Sequence, residues 1–313
     1  TPAYAFGLAY IILAFSGWLE RKHGVERIWI YLIVLILSIN MLNILSVNNG
    51  RYKRMLAYSE EKAVLEQLSN DLDTKDKIVT WWDFGWPLWY FTGKANTLAD
   101  NGEHGGPDSY ILSRIISESN QSFVANAAKY FANTKDEANA NGYKYVIPYI
   151  APKEDLETLF NSFSSREDIV AKQDTYIVLH RSMVTIFKTI TEFSDYNITN
   201  IGEKRESNFM YKYFPFRYPD NVDEEFLTSH NTVDIGNENV LVKNVTFIKD
   251  QKIEKVYSYD QNSTYHIIFD NNEMAYMTNE NVYNSFLFQA LLLDNYDRDL
   301  FEKVDETYLI KIF

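Results

Sequence analysis

The chain has 313 residues, and its 30 Lys and Arg against 43 Asp and Glu give a net charge of −13. It contains no cysteine, which excludes a disulfide framework, a thiolate metal site and a cysteine nucleophile. The acidic balance also argues against nucleic acid as a partner, because phosphate binding requires a basic surface.

The first 50 residues are far more apolar than the rest of the chain. Residues 3–19 and 28–47 carry no charged side chain, and the second run is 20 residues long. A helix of this length spans about 30 Å, which matches the hydrocarbon core of a bilayer. We therefore predict a hairpin of two transmembrane helices, at about 3–19 and 28–47. A signal peptide is the alternative for the first run, but that run lacks a basic start and a small-residue cleavage site.

The polar remainder is long enough for one large or two modest domains. Helical spacing of apolar residues occurs at 54–72, 111–116 and 123–131, and short buried strands are predicted at 77–80, 143–150 and 175–180. Ser182 is a suitable N-cap for a further helix that runs to Phe193.

From about residue 200 the pattern changes to short β-type runs, at 240–248, 252–259, 265–269 and 274–277. A helix at 283–293 and a strand at 308–313 complete the chain. We predict an α+β fold with three parts. These are the transmembrane hairpin (1–50), a mixed α/β central domain (51–199), and a β-rich insertion or appendage with a terminal helix and strand (200–313).

Tryptophans are concentrated in one segment, because four of the six lie at Trp81, Trp82, Trp86 and Trp89. One interpretation is a buried aromatic core. The other is a polar pocket with aromatic walls, in which Trp81 and Trp82 donate from their indole N–H groups and Asp83 accepts, so that together they bind one hydroxyl. Gly85 would permit a tight turn that presents these side chains. The residues alone do not decide between the two interpretations.

The segment WWDFG at 81–85 resembles the WWDYG signature of the catalytic subunit of oligosaccharyltransferases, the enzymes of asparagine-linked protein glycosylation. The surrounding order of apolar hairpin, polar helix, short strand, motif and then LADNGEHG at 98–105 is similar to that of the bacterial single-subunit enzymes. Residues 295–301 also resemble their ending. The resemblance covers essentially the whole chain, as the C-terminal part of a longer protein.

A second element of the family has the pattern MxxI, followed by a β-branched residue four positions on. Here Met183 and Ile186 are followed by Ile190, and these positions share one face of the predicted helix. Such a stripe by itself is typical of a helix that faces a core. The resemblance implies instead that this helix lies near WWDFG and that Ile186 contacts the methyl group of an acceptor threonine.

The resemblance implies transfer of an oligosaccharide from a polyprenyl (undecaprenyl) pyrophosphate carrier to Asn in Asn-x-Ser/Thr. The implied partners are acceptor polypeptides, the carrier-linked oligosaccharide and the lipid bilayer. The implied location is the bacterial inner membrane, with the large domain in the periplasm. The implied cofactor is Mg²⁺ or Mn²⁺, held by acidic residues upstream of residue 1, so no catalytic residue and no metal ligand is assigned to this chain.

By the same resemblance, Trp81, Trp82 and Asp83 would bind the hydroxyl two positions after the acceptor Asn. His104 and Trp86 match positions near the carrier pyrophosphate. Two departures from the family pattern stand out. Phe84 replaces a Tyr and removes its hydroxyl, and Glu103 occupies a position where related enzymes often have Lys, which makes a direct charge role there doubtful.

Two other hypotheses remain open at this stage. A membrane-anchored periplasmic binding module could use the same aromatic pocket without catalysis, and a different polyprenyl-phosphate-sugar transferase is disfavoured by WWDFG. The chain also contains three acidic acceptor patterns, D/E-x-N-x-S/T, at 118–122, 195–199 and 260–264. Chance explains such patterns in a chain rich in Asn, Ser and acids, and the alternative is self-glycosylation at Asn120, Asn197 or Asn262.

Overall fold

The computed structural model describes residues 17–18, 20–22, 59–94, 96–99, 106–196, 207–215, 232–235, 238–259, 261–270 and 274–313. The chain divides into two compact units, residues 1–58 and 59–313. The predicted membrane helices at 3–19 and 28–47 lie outside the described residues, apart from residues 17 and 18. Within the described ranges no helix has the length and apolar character needed to cross a bilayer.

The second unit alternates helices with two short strands in its first part. In chain order it contains α1 (Ser59–Asp71), β1 (Lys77–Val79), a 3-10 turn (Trp82–Phe84), α2 (Gly85–Thr92), α3 (Asp108–Ser117), α4 (Gln121–Ala140), α5 (Val146–Ile150), α6 (Leu156–Ser162), β2 (Thr175–His180), α7 (Arg181–Thr185) and α8 (Phe187–Ser194). The described residues therefore form a mixed α/β arrangement here, as predicted.

Strands dominate the second part. They are β3 (Tyr211–Pro215), β4 (Thr232–Ile235), β5 (Glu238–Leu241), β6 (Asn244–Lys249), β7 (Lys252–Ser258), β8 (Tyr265–Asp270) and β9 (Met274–Asn279). After them come α9 (Glu280–Tyr283), a π-helical segment (Leu287–Leu292), β10 (Asp305–Glu306) and β11 (Ile310–Ile312).

A four-stranded mixed sheet has the order β1-β2-β11-β10. β1 and β2 are parallel, with Ile78 opposite Tyr176, whereas β11 is antiparallel to β2, with Ile310 opposite His180. The end of the chain therefore completes the sheet that the first strand begins. A second sheet of five strands has the order β3-β9-β8-β6-β7, and β4 pairs with β5 alone.

Two faces of the four-stranded sheet bury apolar side chains. On one face the apolar side of α1, including Leu65 and Leu68, packs in a cluster with Ile78, Leu88 and Val178. The larger core lies against the other face, which carries Val79, Ile177 and Leu179, and it joins α3, α4, α7 and α8 to the π-helical segment and to apolar residues of the five-stranded sheet. Removing apolar surface from water contributes about 25 cal/mol per Å², and this burial is the main stabilising contribution in both clusters.

The boundary between the two sheets contains a buried ion pair. Arg181, at the start of α7, contacts the carboxylate of Asp270 on β8, and both side chains are almost fully buried. The Arg181 guanidinium also donates to the Tyr308 carbonyl oxygen (3.1 Å) and lies 3.9 Å from the Tyr308 ring centroid. This pair ties the five-stranded sheet to the loop before β11.

The predicted strands at 77–80 and 175–180 and the two helices at 111–116 and 123–131 are confirmed. The predicted strand at 143–150 is wrong, because its second half forms the helix α5. The Asp108 carboxylate accepts hydrogen bonds from the Val146 N–H (2.9 Å) and the Ile147 N–H (3.1 Å). These are N–H groups that a helix start leaves unpaired, so a distant carboxylate stabilises the helical conformation.

The single helix predicted from Ser182 to Phe193 is also wrong in detail, because it consists of α7 and α8 with a break at Ile186 (φ −105°, ψ 14°). The Thr185 hydroxyl donates to the Ser182 carbonyl oxygen at 2.7 Å, and the Ile186 N–H reaches the same oxygen only at 3.3 Å. Such bonding by a threonine side chain competes with the helical ladder and bends helices.

Candidate acceptor-binding site

The topology brings the two sequence motifs together. WWDFG follows the carboxyl end of β1, and MxxI follows the carboxyl end of β2, the parallel neighbour of β1. The Thr80 hydroxyl donates to the Val178 carbonyl oxygen (2.9 Å), which links the residue after β1 to β2. The crevice at the carboxyl ends of parallel strands is the common position for ligand sites in α/β sheets. The two motifs were predicted to lie close to each other, and their positions directly after paired parallel strands explain this proximity.

Trp81 through Phe84, which we name the WWDF turn, bury their two indoles. Trp81 is 0% and Trp82 6% exposed, and their ring centroids lie 3.8 Å apart. The Phe84 N–H donates to the Trp81 carbonyl oxygen (3.0 Å), which closes the turn. Asp83 is partly exposed, so its carboxylate is the polar group that this turn presents to solvent.

The turn does not use the conformational freedom of glycine. Gly85 has φ −59° and ψ −43°, a right-handed helical conformation that any residue adopts, and it begins α2. The expectation that Gly85 supplies an unusual backbone conformation is therefore wrong. The turn is a 3-10 segment that continues directly into a helix.

Two polar groups of the WWDF turn lack partners within the part of the chain that the structure describes. The Trp81 indole N–H is buried and donates no hydrogen bond there. The Asp83 carboxylate is partly exposed and makes no hydrogen bond or ion pair with the described residues. A buried donor without a partner costs about 1–3 kcal/mol, so an acceptor that reached the Trp81 N–H would recover this free energy.

Phe193 belongs to the site and was missed as a site residue. Its ring packs edge-on against both indoles, with centroid distances of 5.5 Å to Trp81 and 4.9 Å to Trp82. Because Phe193 lies at the end of α8, it links the WWDF turn to the helices that carry the MxxI pattern. The spacing of seven residues after Ile186 was a signal in the sequence, since it places Phe193 near the same helix face.

The MxxI residues differ in exposure. Met183 and Ile190 are fully buried, whereas Ile186 is only partly buried against the main core. Met183 therefore serves as core packing at this position, and Ile186 retains an accessible surface. The break between α7 and α8 lies at Ile186, so the three residues do not share one continuous helix as the sequence predicted.

The aromatic side chains of α2 point outward. Trp86, Trp89 and Tyr90 are 57%, 49% and 76% exposed, while Leu88 of the same helix is buried against α1. Trp86 was predicted near the carrier pyrophosphate, and its exposure leaves it accessible. His104, the other residue predicted there, lies outside the described residues.

Acidic and histidine side chains do not converge on a cation site in the described ranges. No group of three or more His, Asp or Glu residues in those ranges could hold a metal ion. The groups that the described site presents are one partly exposed carboxylate, two buried indoles and the partly buried side chain of Ile186.

The class of protein follows from comparison with known families. Residues 74–200 match the family model described as the STT3/PglB/AglB core domain, an interval that contains both motifs and β1 and β2. The match covers this interval of the chain, and the resemblance predicted from WWDFG is confirmed. The chain is similar to the C-terminal part of a bacterial oligosaccharyltransferase.

Particular relatives come from Campylobacter jejuni. Two curated proteins, from strain RM1221 and from a serotype O:2 strain of subspecies jejuni, are named undecaprenyl-diphosphooligosaccharide–protein glycotransferase. Each is 24% identical over 342 residues, in an alignment that covers 100% of this chain and 46% of the relative. The chain thus spans about half the length of these relatives.

A solved structure matches the fold. The crystal structure of the C. jejuni pglb C-terminal domain has a TM-score of 0.65 and 21% sequence identity, covering 80% of this chain and 97% of that chain. This likeness shows the mixed α/β fold.

Proposed function

We propose that the chain is the acceptor-recognising part of an oligosaccharyltransferase that modifies Asn in Asn-x-Ser/Thr. The donor would be an oligosaccharide on a polyprenyl pyrophosphate, of the undecaprenyl type named for the relatives. The observation that carries the proposal is the adjacency of the WWDF turn and the MxxI helix at the carboxyl ends of two parallel strands.

Asp83 is the centre of the recognition that we propose. The hydroxyl two positions after the acceptor Asn would donate to the Asp83 carboxylate, which is partly exposed and makes no other polar contact with the described residues. A hydrogen bond to a charged group contributes about 1.5–3 kcal/mol. A peptide without the hydroxyl would leave the carboxylate without this bond and lose that contribution.

The role that we propose for the two indoles depends on opening of the WWDF turn. Trp81 and Trp82 would donate to the same hydroxyl oxygen, but both rings are buried and pack against Phe193. Their donation therefore requires the turn to open when the peptide binds. Without opening, the two rings would still form the apolar base on which Asp83 is held.

Ile186 would distinguish threonine from serine. Its partly exposed side chain lies at the break between α7 and α8 and can cover one methyl group. Burying one methyl-sized group contributes about 0.8 kcal/mol, which corresponds to about a fourfold preference. Met183 is fully buried, so it would contribute core packing near Ile186 and would not contact the peptide.

The remaining parts of the proposal concern the complete enzyme. Transfer would require Mg²⁺ or Mn²⁺ held by residues outside those described, and the helices predicted at 3–19 and 28–47 would anchor the chain in the bacterial inner membrane with the large domain in the periplasm. The exposed aromatic residues of α2 support a membrane setting, because Trp and Tyr are enriched at membrane interfaces. Trp86 and His104 would lie toward the carrier pyrophosphate.

The experiment is glycan transfer by the complete enzyme to a fluorescent peptide that contains Asn-x-Thr. We expect transfer that depends on added Mg²⁺ or Mn²⁺ and that is absent for a Gln-x-Thr peptide. Binding of the Asn-x-Thr peptide without transfer under any metal condition would instead support the binding module without catalysis.

A further inference from the structure

We propose that His180 is a positioning residue for acceptor recognition, fixing the WWDF turn and the start of α7 relative to each other, and that Glu61 holds the His180 ring in place. This inference deepens the proposed function and rests on it. Neither residue belongs to either sequence motif, and neither would touch the peptide.

His180 contacts both motifs at residues next to the proposed peptide contacts. Its imidazole stacks on Phe84, with ring centroids 4.5 Å apart and an interplanar angle of 25°. Phe84 directly follows Asp83. The His180 Nδ1 accepts a hydrogen bond from the Ser182 N–H (3.0 Å), and the Ser182 hydroxyl contacts the same nitrogen. Ser182 directly precedes Met183, so one ring lies between the two motifs.

The hydrogen bonds assign the tautomer of the ring. Because Nδ1 accepts from a backbone N–H, its lone pair is free and the hydrogen lies on Nε2. Nε2 then donates to Glu61 Oε1 on α1, at 2.8 Å. His180 is 8% and Glu61 5% exposed, so water does not readily replace this bond. The ring is thereby fixed on three sides, by Phe84, Ser182 and Glu61.

The two motifs depend on such an anchor because each is short. The 3-10 turn has three residues and α7 has five, and helical segments of this length are not stable without tertiary contacts. The Asp83 side chain itself has no described contact that fixes its direction. Its position is therefore set by the turn, which Phe84 ties to His180. A displacement of about 1 Å in a positioned group can reduce activity by 10²-fold.

Phe84 also explains how the chain tolerates its departure from the family pattern. The ring that replaces Tyr is used for its face, which stacks on His180, so a hydroxyl at its edge is not needed for this contact. The contact between Phe84 and His180 is aromatic stacking, which requires two planar rings and favours an offset parallel arrangement.

Four variants of the complete enzyme separate the contributions. His180→Phe keeps a ring for Phe84 and loses the hydrogen bonds at both ring nitrogens, whereas Glu61→Leu removes the acceptor for Nε2 and leaves the Ser182 contacts at Nδ1 in place. Glu61→Gln keeps an acceptor for Nε2 and serves as the conservative rescue. The matched control is His266→Phe, because His266 is also buried, bonds a glutamate (Glu280, 2.9 Å) and stacks on an aromatic ring (Tyr283, 3.9 Å), but lies in the five-stranded sheet.

The readout is the KM for an Asn-x-Thr acceptor peptide against kcat, together with the thermal midpoint. We expect His180→Phe and Glu61→Leu to raise the peptide KM by about tenfold or more with a smaller change in kcat, and Glu61→Gln to remain near the wild type. We expect His266→Phe to lower the thermal midpoint to a similar extent as His180→Phe, with the peptide KM unchanged.

The result that overturns the inference is a peptide KM in His180→Phe and Glu61→Leu that matches the wild type or the His266→Phe control. Asp83→Asn is measured beside them and separates this failure from failure of the proposed function. A raised KM in Asp83→Asn alone refutes the positioning role of His180 and Glu61. An unchanged KM in Asp83→Asn refutes the proposed function itself.

Discussion

Replacing Asp83 by Asn removes the charge while keeping the size of the side chain. The carboxylate makes no hydrogen bond or ion pair with the described residues, so the substitution removes no polar contact within that part of the fold. What the fold does lose is the interaction of a negative charge with the start of the 3-10 turn that leads into α2, worth up to about 0.3–1 kcal/mol. Peptide binding should lose somewhat more, because Asn keeps a neutral acceptor oxygen and loses the extra strength of a charged hydrogen bond, about 1–1.5 kcal/mol.

These two magnitudes predict different outcomes for stability and for affinity. We expect Asp83→Asn to shift the thermal midpoint by only a few degrees and to weaken binding of an Asn-x-Thr peptide by about 5- to 10-fold. Fluorescence anisotropy of a labelled peptide with the complete enzyme measures the second quantity. The control is Asp299→Asn, an exposed carboxylate outside both motifs, which should change neither. Equal peptide affinity in Asp83→Asn and Asp299→Asn would refute the reasoning.

Three further predictions test other parts of the account. Ile186→Ala should lower the Thr-over-Ser preference in kcat/KM by about fourfold with little change for Ser peptides; equal losses for both would argue against a methyl contact. Arg181→Met should cost about 3–5 kcal/mol in urea unfolding because Asp270 is left buried and unpaired, whereas Arg166→Met, at an exposed pair, should cost under about 1 kcal/mol. Burial lowers the pKa of His266 despite its hydrogen-bonded glutamate, so the unfolded chain binds the proton more readily and stability should fall as the pH drops from about 7 to 5. His266→Gln should flatten that slope, and an unchanged slope would contradict the assignment.

Much of the site could be predicted from the sequence because its signals are local. WWDFG, the strand before it and the MxxI pattern are each contained within a few residues. The adjacency of the two motifs was expected from the family resemblance. Its physical cause, parallel pairing of β1 and β2, depends on chain segments about a hundred residues apart and leaves no mark in either motif.

The errors have the same origin. Tyr143–Ile150 is rich in β-branched and aromatic residues, and this composition predicts a strand. In the structure the Asp108 carboxylate accepts hydrogen bonds from two backbone N–H groups of this segment, and a helix starts there. The break at Ile186 follows from the hydroxyl of Thr185, a side-chain bond that a hydrophobic pattern does not register. His180 was assigned to a buried strand, correctly, but its partner Glu61 is distant in sequence and could not be inferred.

The central claim is that the Asp83 carboxylate binds the hydroxyl of the acceptor sequence. The most direct measurement is a double-mutant cycle on peptide affinity, with wild-type and Asp83→Asn enzymes and with Asn-x-Thr and Asn-x-Val peptides, since valine keeps the shape of threonine without the hydroxyl. The account predicts a large loss from Thr to Val in the wild type and a clearly smaller loss in Asp83→Asn, where a neutral acceptor remains, with a coupling energy of about 1–1.5 kcal/mol. The same Thr-to-Val loss in both enzymes, with a coupling near zero, would contradict it.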